Sequence, residues 1–342
     1  MIQRAKATDF RDKVEMRTNV ANCYNFFDCI FPACGLQDLT EGIYCGDPSI
    51  SYEQAQRNQI EWLLDEVDCQ SGSRILDLGC GYATLLESAR RRGAVATGIT
   101  ISPPQVEHGR MCGLDVRLLD YRDIGDEWTG QFDGVIANGS VEHFVQPGDV
   151  LAGKADEMYR ELFRICHRVL DPTSPSRRFA TTIIHRNECS PAMHNQELLK
   201  GPFAFPWLSA KFHYAMLQKT FGGFYPEVGQ LERCARPYFC LAGEVDGTAD
   251  YHLTSEQCFA RVRRMLTASR TGPRIWHELG KQMLRRPRHT LLMCLCLLVT
   301  ESWQYQFRGI QPPTTLLRQT WEYCPVPRPG PTEQPLPVSK AL

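Results

Sequence analysis

Apolar and polar positions along the middle of this chain follow two rhythms, one suited to buried strands and one to amphipathic helices. Ile75, Leu76 and Leu78 give Arg74–Leu78 the near-continuous apolar character of a strand covered on both faces. Comparable runs recur at Val95–Ile101, Asp115–Leu119, Phe132–Ala137 and Phe179–His185. Between them Leu85–Arg92, Pro104–Met111 and Asp156–Val169 carry helical patterns, the first stopped by Gly93. This alternation predicts an α/β fold with a doubly wound, mostly parallel sheet. Trp303–Phe307 and Thr314–Tyr323 predict a last helix and a closing strand. A ligand of such a sheet belongs at the carboxyl ends of its strands.

At the end of the first strand the chain reads RILDLGCGYAT, over Arg74–Thr84. Asp77 leads into Gly79-Cys80-Gly81, and a helical pattern starts near Ala83. A strand entering a glycine turn and then a helix lets the backbone approach a nucleotide-like ligand closely. The order G-x-G without a third glycine departs from the dinucleotide fingerprint. It resembles motif I of class I S-adenosylmethionine (SAM)-dependent methyltransferases, where no pyrophosphate has to be seated. That resemblance gives the other strand ends expected roles. Asp77 organises the glycine loop and the amino end of the cofactor. Thr100 and Ile101 end the second strand, and Thr100 with Gln105 is placed to bond ribose hydroxyls. Asp120 is placed to accept from the adenine amino group, with Tyr121 stacking on the ring. Ala137-Asn138-Gly139 passes beneath the methionine moiety, followed by Glu142 and His143.

Four segments in order, ILDLGCG, GITIS-x-x-Q, GLDVRLLDYRDI and FDGVIANGSVEHF, closely resemble the cyclopropane-fatty-acid synthase and mycolic acid methyltransferase family. The resemblance runs over residues 18–185, more weakly to about residue 320. Upstream, Tyr24-Asn25-Phe26-Phe27-Asp28 resembles the helix that lids the cofactor, and SYEQAQ over Ser51–Gln56 resembles the S-x-x-x-A-Q element. Downstream, Phe221-Gly222-Gly223-Phe224-Tyr225-Pro226 is similar to F-P-G-G-x-x-P, and Asp250-Tyr251-His252-Leu253-Thr254 to H-Y-x-x-T. The family implies a seven-stranded Rossmann-like methyltransferase sheet with helical lid elements, and SAM as cofactor. It implies a helical lid over 1–70, a SAM-binding core over 71–185, a substrate-side insertion over 186–312 and a closing strand over 313–324. The implied catalytic residues are Glu142, Tyr251 and His143; cofactor binding extends to Tyr44, Gly79, Cys80 and Gly81.

The departures are equally specific. Cyclopropane synthases hold a bicarbonate base with a glutamate, a histidine, a tyrosine and a cysteine-bearing loop. Glu142 and Tyr251 fall on the glutamate and tyrosine. Matching the tyrosines of the loop puts Gly42 at the cysteine, whereas Cys45 needs a slip of register, and the histidine falls nearest Thr182, with His185 reachable only by another slip. No tightly held bicarbonate is therefore expected, because an anion needs several converging donors to offset its desolvation. Gly42-Ile43-Tyr44 also resembles the H-x-G-Y-Y element of tocopherol-type small-molecule C-methyltransferases. Transfer to a lipid or other apolar acceptor, transfer to a polar small molecule, and non-catalytic SAM binding all stay open. The aromatics Phe203, Phe205, Trp207, Phe212, Tyr214, Phe221, Phe224 and Tyr225 suit either a substrate tunnel or a satellite core.

Composition narrows the remaining classes. A net charge of −1 over 342 residues gives no polybasic case for nucleic acid. The 15 cysteines are scattered, odd in number and without a C-x-x-C pair, so neither a disulfide framework nor a metal site is indicated. The N-terminus lacks the apolar core of a secretory signal, and a cytoplasmic location is expected. The longest apolar run, Leu291–Val299, falls short of the roughly 20 residues that span a bilayer. Its basic flank of Lys281, Arg285, Arg286, Arg288 and His289 allows peripheral contact with a membrane surface, although a buried helix is the simpler expectation. The proline-rich stretch 325–342 reads as a disordered tail. Oligomeric state leaves no signature.

Overall fold

Seven strands form one sheet in the order β3-β2-β1-β4-β5-β7-β6. The computed structural model describes residues 39–325, together with residues 20, 23, 24, 26, 27 and 30–36. The expected tail beyond residue 325, the first nineteen residues of the expected lid, and Asn25 and Asp28 lie outside the described residues. The strands are β1 (Arg74–Leu78), β2 (Val95–Thr100), β3 (Asp115–Leu118), β4 (Gly134–Asn138), β5 (Arg178–Arg186), β6 (Phe239–Asp246) and β7 (Thr314–Tyr323). The five strands β1–β5 pair in parallel, and β7 runs antiparallel between β5 and β6. The order reverses between β1 and β4, which opens a crevice at their carboxyl ends.

Alternate side chains of the strands enter two cores on opposite faces. Ile75 and Ile136 pack with Leu63 and Leu64 of α1 (Tyr52–Glu66), Leu86 of α2 (Thr84–Arg91) and Val106 of α3 (Pro103–Met111). Leu76, Leu78 and Phe179 enter the larger core with Phe163 of α4 (Ala155–Val169) and Trp321. Phe163 meets Trp321 edge-on at 5.1 Å between ring centroids. Ser51 caps α1, its hydroxyl accepting from the Gln54 N–H at 3.3 Å.

Beyond β5 come α5 (Ala210–Phe221), α6 (Thr248–Thr267), α7 (Gly272–Arg285) and α8 (Pro287–Cys294), the last continued by a π-helical turn over Leu295–Val299. The apolar run is therefore only half covered. Met293, Cys296 and Leu297 are buried, whereas Leu291 and Val299 are more than half exposed. Among the described residues no helix is long and apolar enough to cross a membrane. The fourth strand starts at Gly134 rather than Phe132, because Phe132 bridges to Leu170 instead.

Candidate active site

The crevice at the switch between β1 and β4 opens into a cavity of about 670 Å³. Three parts of the chain line it. The N-terminal segment contributes Tyr24, Phe27 and Glu41; the sheet contributes Asp77, Gly79–Gly81, Asn138, Glu142 and His143; the region after β5 contributes Phe221, Tyr225, Tyr251 and Trp303. A smaller cavity of about 110 Å³ adjoins it and shares Gly79, Gly81, Gln105 and His143. Its walls include Thr100, Ile101, Asp120, Tyr121 and Phe144. Most of the expected cofactor residues thus meet in two halves of one cleft.

The glycine loop is fixed to the neighbouring strand, its Gly79 and Cys80 N–H groups both donating to the Ile99 carbonyl at 2.9 and 3.0 Å. Gly79 has φ of +83°, and a Cβ there would lie 2.6 Å from the Cβ of Ser140. Ser140 is itself held by donating to the Leu78 carbonyl at 2.6 Å. Gly81, at φ +52°, faces open space: beyond its chain neighbours nothing lies within 4 Å of its Cβ position, and the residue lines the cleft. Asp77 is buried at the mouth of the loop, with Oδ1 unpartnered among the described residues. Burial pushes its carboxyl up to about 7.

The strand ends arrange the smaller half. Thr100 donates to Gln105 Oε1 at 2.6 Å and accepts from the Ser102 N–H at 3.2 Å. Asp120 caps the short helix Tyr121–Asp123 and forms an ion pair with Arg122 at 2.7 Å. Tyr121 stacks on Phe144 at 4.2 Å between centroids. Its ring thus forms part of a two-aromatic wall rather than a free face. Asn138 Oδ1 accepts from Thr182 Oγ1 at 2.5 Å and from Gln59 Nε2 at 3.3 Å, which fixes that amide at the end of β4.

Glu142, His143 and Tyr251 all line the larger half. Glu142 sits on the short turn Val141–His143, is 4% exposed, and has Oε2 unpartnered among the described residues. Burial, reinforced by the charge of Glu41, raises its carboxyl to about 8. Burial also depresses His143 to about 4, so its imidazole is neutral at physiological pH. The Tyr24 hydroxyl lies 3.4 Å from His143 Nε2. Tyr251 packs against Phe307 at 4.4 Å and meets Trp303 edge-on at 5.8 Å. The turn at Gly223, with φ of +86°, presses on this site: a Cβ there would come within 2.1 Å of the Glu142 carbonyl.

Tyr44 is not brought to either cavity. It is fully buried, its N–H donating to Asp250 Oδ1 at 2.9 Å, and it acts as a strut beneath the loop. Glu41, three residues earlier and absent from the sequence-based set, lines the cavity in its place. Gly42 is boxed in, because a Cβ would lie 2.6 Å from that of Ala55 and 3.0 Å from the Tyr44 ring. Thr182 is engaged with Asn138, and Nδ1 of buried His185 lies 2.9 Å from the Ile183 carbonyl; neither lines the cleft. The eight aromatics after β5 divide. Phe221 and Tyr225 reach the cavity, Phe212, Tyr214 and Phe224 are core, Phe205 packs half-buried against that core, and Phe203 and Trp207 are more than half exposed. Among the described residues no group of three or more His, Cys, Asp and Glu side chains is arranged to hold a metal ion.

A probable fatty acid methyltransferase of Mycobacterium tuberculosis is 37% identical over 101 residues, which are 27% of this chain and 23% of that protein. A ubiquinone biosynthesis O-methyltransferase of Xanthomonas oryzae is 35% identical over 108 residues, 30% of this chain and 40% of that protein. The chain thus spans less than half the length of these curated relatives. The fold is that of the cyclopropane synthase MmaA2 from Mycobacterium tuberculosis, with a TM-score of 0.64 at 15% identity over 89% of this chain and 97% of that one. The mycolic acid cyclopropane synthase CmaA1, solved with SAH and CTAB, gives 0.63 at 16% identity over the same shares. The family model for mycolic acid cyclopropane synthetase matches residues 14–209, more than half of the sequence and all of the sheet's parallel part, and the chain belongs to that family.

Proposed function

We propose that this protein is a SAM-dependent methyltransferase that delivers a methyl or methylene carbon to a lipid-like or other apolar acceptor. The observation that carries this reading is the continuity of the glycine-loop cleft with an aromatic-lined cavity holding Glu142. The cleft suits the cofactor: Gly81 leaves open space, Asp77 offers an unpartnered carboxyl oxygen, and Thr100, Gln105, Asp120 and Tyr121 surround the smaller half. Gly79–Gly81 and Asp77 would hold its methionine end, Thr100 and Gln105 its ribose, and Asp120 and Tyr121 its adenine. When bound, SAM supplies an electrophilic methyl group on a sulfonium.

The chain's own work is positioning, exclusion of water and handling of a proton. Phe27, Phe221, Tyr225 and Trp303 give the acceptor an apolar wall. Glu142, protonated below about pH 8 and ionised above it, is the group that removes a proton from a carbon acceptor. Neutral His143 and Tyr24 form a polar contact beside it, and Tyr251 lines the same cavity. The carboxyls of Glu41 and Glu142 disfavour a further anion between them, and Gly42 has no space for a cysteine side chain. Activity is therefore expected to be indifferent to removal of carbonate from the buffer.

The test is incubation with methyl-labelled SAM and a total lipid extract. Label entering the organic phase supports the reading, and NMR of the product separates a methyl group from a cyclopropane ring. The similarity to an O-methyltransferase of ubiquinone biosynthesis favours, as second reading, methyl transfer to an oxygen atom, and an O-methyl signal in the product would establish it, whereas label confined to the aqueous phase would mean a small polar acceptor. No SAM turnover with any extract would leave a binding protein. A cytoplasmic location with contact at a membrane surface is part of the same proposal; exposed Leu291 and Val299 near a basic flank support it.

A further inference from the structure

We propose that Arg318 and Gln59 are positioning residues which turn the Asn138 side chain so that its amide nitrogen, not its oxygen, faces the larger cavity and donates to an oxygen atom bound there. The proposal rests on the methyltransferase reading. The residues involved come from four elements and meet in one patch. The sheet register sets Asn138 of β4 beside Thr182 of β5, and Thr182 beside Arg318 of β7. Gln59 reaches this row from α1 and is fully buried. Of the four, Asn138 alone lines the cavity.

Hydrogen-bond polarity passes through the patch in one direction. A guanidinium has donors only, so whatever Arg318 meets must accept. Two of its nitrogens are committed to Asp250 and to the Gly42 carbonyl, and the third, Nε, donates to Gln59 at 2.7 Å. The Gln59 atom at that end is therefore its oxygen, which leaves Nε2 as a donor at the other end. Nε2 lies 3.3 Å from the Asn138 amide, and the atom that receives it is therefore Oδ1. Thr182 Oγ1 donates to the same oxygen at 2.5 Å. Both hydrogen bonds of the Asn138 side chain among the described residues thus reach Oδ1, and Nδ2 is the end left to the cavity. An isolated amide has no preference between its two ends; here a cation two side chains away decides it. Charged donors do not compete for the role, because among the described residues no lysine or arginine lines either cavity. The oxygen that Nδ2 meets belongs to the carboxylate of the cofactor's methionine moiety or to a carbonyl group of the acceptor.

Calorimetry on the full chain separates these two sources. One arm compares SAH with its decarboxylated counterpart, which ends in an aminopropyl group. The other, on protein saturated with SAH, compares methyl pentyl ketone with the alkene in which a methylene group replaces the ketone oxygen. Asn138→Asp exchanges the donor for an acceptor at nearly constant shape. In one arm it is expected to weaken the oxygen-bearing ligand by about tenfold or more, and the oxygen-free ligand by no more than about threefold. Selective loss in the first arm assigns the donor to the cofactor, and in the second to the acceptor; either supports the proposal. Gln59→Glu tests the positioning. Its carboxylate keeps Arg318 paired but offers Asn138 an acceptor, so the Asn138 amide turns over and brings Oδ1 to the cavity. Although residue 59 lines neither cavity, this variant is expected to show the same selective loss. Equal weakening of both ligands of a pair overturns the proposal, because the residues then only shape the cavity; so does full retention of both. Selectivity kept in Gln59→Glu but lost in Asn138→Asp overturns the role of Gln59 and Arg318. If Asn138→Asp does not fold, Gln59→Glu decides alone. If Gln59→Glu does not fold, Arg318→Met takes its place: both amides are then free to turn, and a selective loss of about threefold is expected. A wild-type protein that does not bind SAH overturns the methyltransferase reading, whereas one that binds SAH and yields no selective loss overturns this proposal alone.

Discussion

At the scale of single residues, burial decides what each carboxyl group can do. Glu142 has lost its water and gained an acidic neighbour, so it releases its proton only near pH 8. Turnover is expected to rise with pH to a plateau above about 8, set by Glu142 within its surroundings of Glu41, Tyr251 and neutral His143. Glu142→Gln should lower turnover about 10²- to 10⁴-fold and flatten the rise, with SAH affinity held; turnover within a few-fold of wild type would make Glu142 a capping residue. The same shift has a consequence for stability. The folded protein binds a proton here that the unfolded chain has released, so stability is higher below the unfolded value of 4.5 and is lost as pH rises to about 8. Thermal melts should show Glu142→Gln gaining on the wild type as pH passes through that window. Gly81→Val should abolish SAH binding by calorimetry, through its positive φ and a side chain thrust into the open cleft. That Glu142 and His143 lie at the cleft follows from their place after the fourth strand, and that Tyr251 does so follows from the H-Y-x-x-T likeness. Glu41, not Tyr44, lines the cavity, because this irregular segment has no period that tells which of its side chains turns inward.

At the scale of elements, the strands buried on both faces were legible, as was edge strand β3, whereas β6 at the other edge was not. The runs at β1, β2, β4 and β5 are apolar because both sides are covered. Strand β6 pairs on one side only, shifts register between Leu241 and Gly243, and is mostly exposed, so its sequence carries neither rhythm. Helix caps shifted the boundaries by a residue or two, as at Thr84 and Pro103. The segment around Gly42 is fastened from the sheet by Arg318 of β7, which is 2% exposed. Its guanidinium donates to Gln59 Oε1 at 2.7 Å, to the Gly42 carbonyl at 3.0 Å and to Asp250 Oδ2 at 2.9 Å. An arginine in a closing strand gives no sign in sequence that it will end beneath a loop some 276 positions away. Arg318→Met should destabilise the fold by about 1–3 kcal/mol, because it leaves the buried Gln59 amide oxygen and the Gly42 carbonyl without their donor and half-buried Asp250 without its cation. Urea denaturation measures this, and Asp250→Asn in the same background should recover part of the loss.

For the whole molecule, the cleft divides by origin. The glycine loop, Asn138, Glu142 and His143 fall within residues 14–209, the stretch that identifies the family. Phe221, Tyr225, Tyr251 and Trp303, which form much of the acceptor wall, all lie beyond it. Phe221→Ala should raise the KM for the acceptor by about tenfold, the scale of a lost aromatic contact, while SAH affinity is unchanged; equal loss of both would place Phe221 in a shared structural role. The two halves are thereby exposed to different evolutionary pressures. The donor half must keep fitting one unvarying molecule, so its wording persists and can be recognised across distant proteins. On the proposed function, much of the acceptor wall is written in a later length of chain, so a lineage can change what it modifies largely by rewriting those helices while keeping Asp250 and Thr254, which hold the segment around Gly42. Exchanging residues 210–312 between members of this family is thus the natural route to moving the chemistry onto a new acceptor.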